Sequence, residues 1–272
     1  MKADLHVHST ASDGTATPRE LVSLALERGL DVLAIADHDS VSGLAEAFDA
    51  AEGTGLTLIP AVELSAVSHG IDVHILAYFV DPTDDRLRAE LSELRAARLR
   101  RARAMVSALS DAGHAVSIDD VLALSDGGAV GRSHVARALV GSGAAESVSD
   151  AFQRFIGRGM PFYVHKDSKS PETVISAVRA FGAIPVLAHP GVTEADSLVP
   201  ALVEAGLLGI EAYHADHTAE QRIAYARLAA ELGLLVTGGT DYHGTAAANP
   251  ELGTVDIPEA AVSALLAAGR VR

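Results

Sequence analysis

Val32-Leu33-Ala34-Ile35-Ala36-Asp37-His38-Asp39 is the stretch whose reading decides the fold. A short apolar run rich in branched residues reads as a buried strand, and here it stops at once on an acid-His-acid triplet. The same change recurs along the chain. His6-Val7-His8 ends the first such run, and Glu63 follows Leu58-Ile59-Pro60-Ala61-Val62. His189-Pro190 follows another run, and Asp241-Tyr242-His243 lies just past a last one. Polar residues gathered after several buried strands are hard to explain by packing, because burying unpaired charge is costly. Barrels of alternating strands and helices carry their chemistry at strand ends.

Working outward, strands are expected over 3–7, 31–36, 56–62, 72–79, 183–188, 207–212 and 234–237. Helix starts are well marked. Thr17-Pro18-Arg19-Glu20 is a capping box with Pro at the first helical position, Ser170-Pro171-Glu172 opens a second helix, and Thr218-Ala219-Glu220-Gln221 opens a third. Gly29, Gly182 and Gly233 stand where these helices would stop. The alternation predicts parallel βα units closed into a barrel or near-barrel, with a doubly wound open sheet as the alternative. Between about 87 and 160 the apolar spacing turns helical. That segment is read as a helical insertion over the barrel mouth, with 97–160 as insertion and 1–96 plus 161–272 as catalytic barrel.

The 272 residues suffice for one such barrel. The chain is 49% hydrophobic but 4% aromatic, so its core must rest on Val, Leu, Ile and Ala. It has no cysteine, which excludes disulfides and thiolate sites and leaves imidazole and carboxylate as metal ligands. A formal charge of −15 argues against duplex DNA as a partner, since that binding is driven by phosphate neutralisation. It does not argue against a small phosphorylated substrate, for which local charge decides. No apolar run approaches the ~20 residues of a membrane span. Met1-Lys2-Ala3-Asp4 has no leader character, so a cytoplasmic, soluble protein is expected.

Taken singly, each candidate has a plain structural reading. His6 and His8 would share one strand face, with Leu5 and Val7 on the other, on any surface strand. Glu63 alone is a rim carboxylate, and His74, inside Val73-His74-Ile75-Leu76, is a core histidine. Together they read more economically as a multi-metal site, with Glu63 as the bridge because a carboxylate has two donor oxygens. Arg98, Arg101 and Arg103 spread over more than one helix face and read equally as a solvated basic helix or as phosphate contacts. Lys166 and Lys169 fall in a polar loop and are given no role.

His6-x-His8, Ser12-Asp13-Gly14, Asp37-His38-Asp39, Glu63, Val73-His74-Ile75-Leu76, His189-Pro190 and Asp241-x-His243 stand in the order characteristic of the PHP (polymerase and histidinol phosphatase) superfamily. The chain resembles that superfamily over nearly its whole length. It is most similar to the bacterial branch of nucleoside 3′,5′-bisphosphate phosphatases and 5′-end exoribonucleases, through the 131–137 and 163–165 segments and the Arg-rich helix. The resemblance implies a distorted seven-stranded (β/α)7 barrel and three divalent ions, Mn²⁺ first and Fe²⁺ or Zn²⁺ as alternatives. His6, His8, Glu63 and Asp241 would hold one ion, Glu63, His74 and His189 a second, and Asp13, His38 and His243 a third. Many relatives carry His where this chain has Asp13.

The implied activity is hydrolysis of a phosphomonoester, of a nucleoside 3′,5′-bisphosphate or the 5′ end of a short RNA, by metal-bound hydroxide. His38, His243 and His214 are the candidates for proton transfer to the leaving oxygen. Arg101, Arg103, Arg132 and His134 are the candidates for gripping a second phosphate. Histidinol phosphate is the rival substrate, and C–N hydrolysis of the amidohydrolase type the rival reaction. The latter commonly uses a bridging strand lysine, which this sequence does not offer.

Overall fold

In the computed structural model, residues 1–193, 195–244 and 250–270 are described. Seven strands lie in sequence order in one sheet: β1 Ala3–Val7, β2 Val32–Ile35, β3 Thr57–Ser68, β4 Ile71–Tyr78, β5 Ile184–Leu187, β6 Gly209–His214 and β7 Leu235–Gly239. The sheet nearly closes on itself. His8 N–H donates to Tyr242 O (2.9 Å) and Asp241 N–H to His6 O (2.8 Å), stitching the first strand to the segment after the last. Gly239 makes this approach possible, because a Cβ there would lie 2.4 Å from His6 Cβ. Below the stitch, the buried Asp4 carboxylate accepts from Thr240 Oγ1 (2.6 Å) and Gly253 N–H (2.8 Å).

Seven parallel units were expected, and β4 departs from them. It runs antiparallel to both neighbours, β3 and β5, while the other pairs are parallel. The cause is a two-residue hairpin, His69-Gly70, between the paired Ser68 and Ile71. Both turn residues have positive φ (49° and 77°), the geometry whose twist suits a tight hairpin. The hairpin also lengthens β3 well past its expected end at 62. A second departure concerns β1, where the register shifts between Asp4 and Val7. Strict alternation fails there: Leu5 packs with Tyr78 and Ile184, and Val7 with Leu21 and Val22.

Helices cover the sheet. α1 (Pro18–Glu27) and α2 (Leu44–Ala51) pack on β1 and β2 through Leu21, Val22, Ala25 and Ala47. The Thr17 box is present, with Thr17 Oγ1 accepting from Glu20 N–H and Glu20 accepting from Thr17 N–H at 2.7 Å. α3 (Asp85–Asp111) is a 27-residue helix of two halves. Leu87, Leu91 and Leu94 bury against the outer face of β3 and β4, each contributing roughly 1.5–3 kcal/mol. Ala102, Val106 and Leu109 instead join a separate apolar cluster. That cluster is shared with α4 (Ile118–Ser125), α5 (Arg132–Gly141), α6 (Val148–Ala151) and the π-turn Phe152–Ile156.

The remaining helices are α7 (Pro171–Ala180), α8 (Pro190–Thr193), α9 (Val199–Glu204), α10 (Ala219–Leu232) and α11 (Glu259–Arg270). α7 and α10 begin at the caps read from sequence, Ser170 and Thr218. Among the described residues no helix is long and apolar enough to cross a membrane.

Candidate active site

Nine residues picked out as metal ligands converge at one end of the sheet. His6 comes from β1 and His8 directly follows it, Asp13 and His38 come from the loops after β1 and β2, Glu63 from β3 and His74 from β4. His189 follows β5, and Asp241 and His243 follow β7. Glu63 lies at the centre and is fully buried. Its Oε2 is 2.7 Å from His38 Nδ1, 3.4 Å from His8 Nε2 and 3.5 Å from His6 Nε2. Its Oε1 is 2.9 Å from His74 Nδ1 and 3.0 Å from His189 Nε2. To one side, His8 Nε2 meets Asp241 Oδ1 at 2.9 Å, and His243 Nε2 meets Asp13 Oδ1 at 3.2 Å.

The neighbours of these residues hold them in place. Asp37 accepts from Ser9 N–H, Ser9 Oγ and Ser12 Oγ at 2.5–2.7 Å, tying down the loop that carries Asp13. Asp39 accepts from Ser65 N–H (2.8 Å) and from Arg98, whose guanidinium also donates to Ser65 Oγ (2.7 Å). In the acid-His-acid triplet, therefore, the flanking acids brace the loop while His38 faces the cluster. Asp39, His189 and Asp241 all sit at positive φ, a cost of order 1 kcal/mol or more each that the surrounding structure must offset.

Glu211 was not read from the sequence. It is a lone, fully buried acid on β6, and its Oε1 lies 3.1 Å from His6 Nδ1. Its Oε2 accepts from His189 N–H at 2.8 Å. With Nδ1–H of His6 engaged, the Nε2 lone pair points inward, where it stands 3.1 Å from His8 Nε2. The signal was present: an acid inside Leu207-Leu208-Gly209-Ile210-Glu211-Ala212 needs a buried partner. Ser133 and Arg137 were missed as well. One turn apart on α5, they donate to the Asp13 carboxylate and to the Asp13 backbone oxygen.

Do these residues fit metal ions? Ligand atoms of His8, Asp13, His38 and His243 lie within 4.8 Å of one another, as do those of His6, His8 and Asp241, of His38, Glu63 and His74, and of His6, Glu211 and His214. Asp13 Oδ1, His38 Nδ1, Glu63 Oε2 and His74 Nδ1 are buried and crowd together, but none is aligned for a hydrogen bond. Such groups are costly unless something bridges them.

The electrostatics agree. Burial would raise the Glu63 carboxyl, but His38, His74 and His6 overcome it and hold it well below the usual range. Asp13 and Asp241 are likewise buried and held well below it, the first by His243 and His38, the second by His6 and His243. Burial pushes His38 down to about 3 and lowers His74, although the Glu63 carboxylate beside each acts to raise it. Burial would also lower His6 and His243, yet their carboxylate neighbours raise both, His243 to about 10. The cluster demands positive charge, and divalent ions would meet the demand while releasing those protons.

A cleft of about 490 Å³ opens beside His38, His74, His189 and Asp241 and is also lined by Arg132 and Tyr163. A tighter recess shares His38, His74 and Arg132 with it and adds Arg98, Arg101, Ser133 and Lys166. Arg101 Nε donates to Val164 O (2.8 Å), and its guanidinium lies 5.2 Å from the Tyr163 ring centre. Arg132 lies over Phe152 at 5.6 Å and Tyr163 at 5.8 Å. Two expected phosphate contacts lie elsewhere. Arg103 is exposed on α3 and lines neither space. His134 is buried, and its Nδ1 accepts from Gly131 N–H (2.9 Å), capping α5.

An α/β near-barrel whose strand ends gather buried imidazoles and carboxylates next to an arginine-lined cleft defines a metal-dependent hydrolase of anionic substrates. Residues 4–160 match the PHP domain family, and the chain belongs to that family. It is 35% identical over 262 residues to a 3′,5′-nucleoside bisphosphate phosphatase of Chromobacterium violaceum, covering 94% of this chain and 92% of the relative. It is 37% identical over 247 residues to a 5′-3′ exoribonuclease of Haemophilus influenzae, covering 89% and 90%. Among solved structures, one from Bifidobacterium adolescentis, provisionally named a metal-dependent phosphoesterase, superposes with a TM-score of 0.91 at 38% identity, covering 98% and 96%. The chain is a hydrolytic phosphoesterase of this family.

Proposed function

We propose that the protein hydrolyses a phosphomonoester of a nucleoside 3′,5′-bisphosphate or of the 5′ end of a short RNA. The observation that carries this reading is the juxtaposition of two anion sites. The Glu63-centred cluster opens into the same recess as Arg101 and Arg132. Asp72 and His74 stand two apart on β4, so they share a strand face and lie roughly 6–7 Å apart along it. One phosphate at the histidine cluster and one at the arginines would be joined through a single ribose. A substrate with one phosphate and an amine, such as histidinol phosphate, would bring no second phosphate to the arginines. The names of the bacterial relatives support the same class.

The ligand set of this reading is His6, His8, Glu63 and Asp241 for one ion, Glu63, His74 and His189 for a second, and Asp13, His38 and His243 for a third, with Mn²⁺ the expected ion. His8 lies close enough to Asp13 and His38 to be shared with the third position. Bound there, the ions would polarise the phosphate and supply a nucleophilic water at neutral pH.

The chain's own residues orient the ligands and the leaving group. Glu211 fixes the His6 ring and the His189 backbone, and Ser133 and Arg137 fix Asp13. Asp216 N–H donates to His214 Nδ1 (3.1 Å), so the proton of neutral His214 sits on Nε2. That atom is 3.8 Å from Asp241 Oδ2, too far for a hydrogen bond but at the edge of the cluster. In this reading His214 Nε2–H donates a hydrogen bond to the leaving oxygen, which takes its proton from solvent, and His38 and His243 serve as ligands. His217 is structural, donating from Nδ1 to Ala212 O (3.0 Å) and accepting from Gly191 N–H at Nε2 (3.1 Å).

The test is a turnover panel with added Mn²⁺: adenosine 3′,5′-bisphosphate, short 5′-phosphorylated RNA, histidinol phosphate and an aryl phosphate. Preference for either of the first two is expected. Preference for histidinol phosphate would refute the reading.

A further inference from the structure

The arginine recess is under-neutralised. Arg98 is paired with Asp39, Lys166 feels both Asp39 and Asp72 without pairing with either, and Arg101 and Arg132 share one carboxylate, Asp72. Both guanidinium groups converge on a single oxygen of that carboxylate. Asp72 Oδ2 lies 3.5 Å from Arg101 Nη2 and 3.3 Å from Arg132 Nη2. These are looser than a well-formed charge-assisted bond of about 2.7–2.9 Å. Arg101 is anchored independently through Nε to Val164 O, and Arg132 by its two aromatic neighbours. Each therefore has an anchor besides Asp72. Lys166 is 7% exposed, lines the recess, and has no hydrogen-bonded or ion-paired partner among the described residues. Its burial and the positive charge of Arg98 push the ammonium down to about 7, although Asp39 and Asp72 act to raise it.

We propose that Asp72 is an internal counter-anion that loosely holds Arg101 and Arg132 in the free enzyme and gives them up, with Lys166 joining, to the non-reacting phosphate of the substrate. The proposal rests on the bisphosphate reading above and deepens it. A dianionic phosphate presents three oxygens to two guanidinium groups and an ammonium, and it outcompetes a carboxylate that offers one oxygen at long range. A hydroxyl or a neutral group at that place has nothing to offer the arginines and leaves the Asp72 pairs intact. Asp72 thereby acts as a specificity-determining residue. It sets a threshold that an arriving group must exceed in negative charge, and it costs some affinity for the correct substrate through residual repulsion.

The experiment compares Asp72→Asn, Asp72→Ser and Arg132→Ala with the unaltered, Mn²⁺-loaded enzyme. Two readouts are taken: the ratio of kcat/KM for adenosine 3′,5′-bisphosphate to that for an aryl phosphate, and the inhibition constant of AMP against aryl phosphate turnover. Circular-dichroism melting confirms that each variant is folded, and the serine variant stands in if the asparagine one is not. Removing the carboxylate is expected to raise the ratio, and to tighten AMP inhibition, by roughly five-fold, the scale of one partly screened like-charge repulsion. Arg132→Ala is expected to lower the ratio. If Arg132→Ala lowers it but the neutral Asp72 variants leave it within two-fold or lower it too, Asp72 is a brace for the arginines and the inference is wrong. If Arg132→Ala leaves the ratio unmoved, the bisphosphate reading fails and takes the inference with it.

Discussion

Glu63 and Asp72 lie on neighbouring strands and point to the same side of the sheet, yet their surroundings differ in kind. Glu63 is wholly buried among five imidazoles, with atoms at 2.7–3.5 Å. Asp72 is 19% exposed and faces two long guanidinium side chains at 3.3–3.5 Å. The first set of residues comes from strands and strand ends, where backbone pairing fixes each Cα and short side chains leave little freedom. The second comes from a helix, a helix N-terminus and a loop, and reaches the cleft on long, flexible stems. A rigid cluster suits chemistry that needs fixed distances, and a looser set of cations suits a substrate end that must enter and leave.

That contrast is broken most directly at Glu63. Glu63→Gln keeps the shape and removes the charge that two ions would share, so kcat is expected to fall on the order of a thousand-fold, with metal lost on dialysis. Elemental analysis together with initial rates checks both; near-normal values would mean that the centre of the cluster has been misplaced. Next comes Glu211→Gln, which keeps an acceptor for His6 Nδ1 but drops the charge behind it. Metal affinity should weaken by roughly 10–100-fold, measured by competition with a chelating dye. Unchanged affinity would reduce Glu211 to a packing role.

On the looser side, Arg132→Ala should lower kcat/KM for a bisphosphate by about one to two powers of ten. The loss on an aryl phosphate should be far smaller, and metal content should hold. Equal losses on both substrates would move Arg132 to the reacting phosphate. Arg103→Ala marks the lower end of the scale. This exposed residue should change rate and stability by less than about 0.5 kcal/mol, and a large loss of bisphosphate turnover would show that it reaches the cleft after all.

The same contrast explains what could be read in advance. All seven strands were legible because each is a short apolar run bounded by turn or cap signals, as with Val32-Leu33-Ala34-Ile35 before Asp37. The reversal of β4 was not, because period-two patterning carries no direction and the His69-Gly70 hairpin is only two residues. Residues at strand ends were legible because a polar group there must have a purpose. Glu211 and Asp72 were passed over because each is a single acid, Glu211 inside an apolar run and Asp72 at the start of a strand, and their partners are distant in sequence. For the arginines, helical spacing alone does not tell which face meets the cleft. Arg101 is buried there while Arg103, two residues on, is exposed. His134 read as a phosphate contact because it follows a glycine at a helix start, yet the same position made it a cap.

The Glu63 cluster is expected to bind the ions that the reaction needs. The decisive measurement is phosphate release from adenosine 3′,5′-bisphosphate by chelator-treated protein titrated with Mn²⁺, with bound metal counted at each point. Activity that is absent after chelation and returns as occupancy climbs to about three ions per chain is the expected result. Turnover that survives chelation, or a protein that saturates at one ion or none, would contradict it.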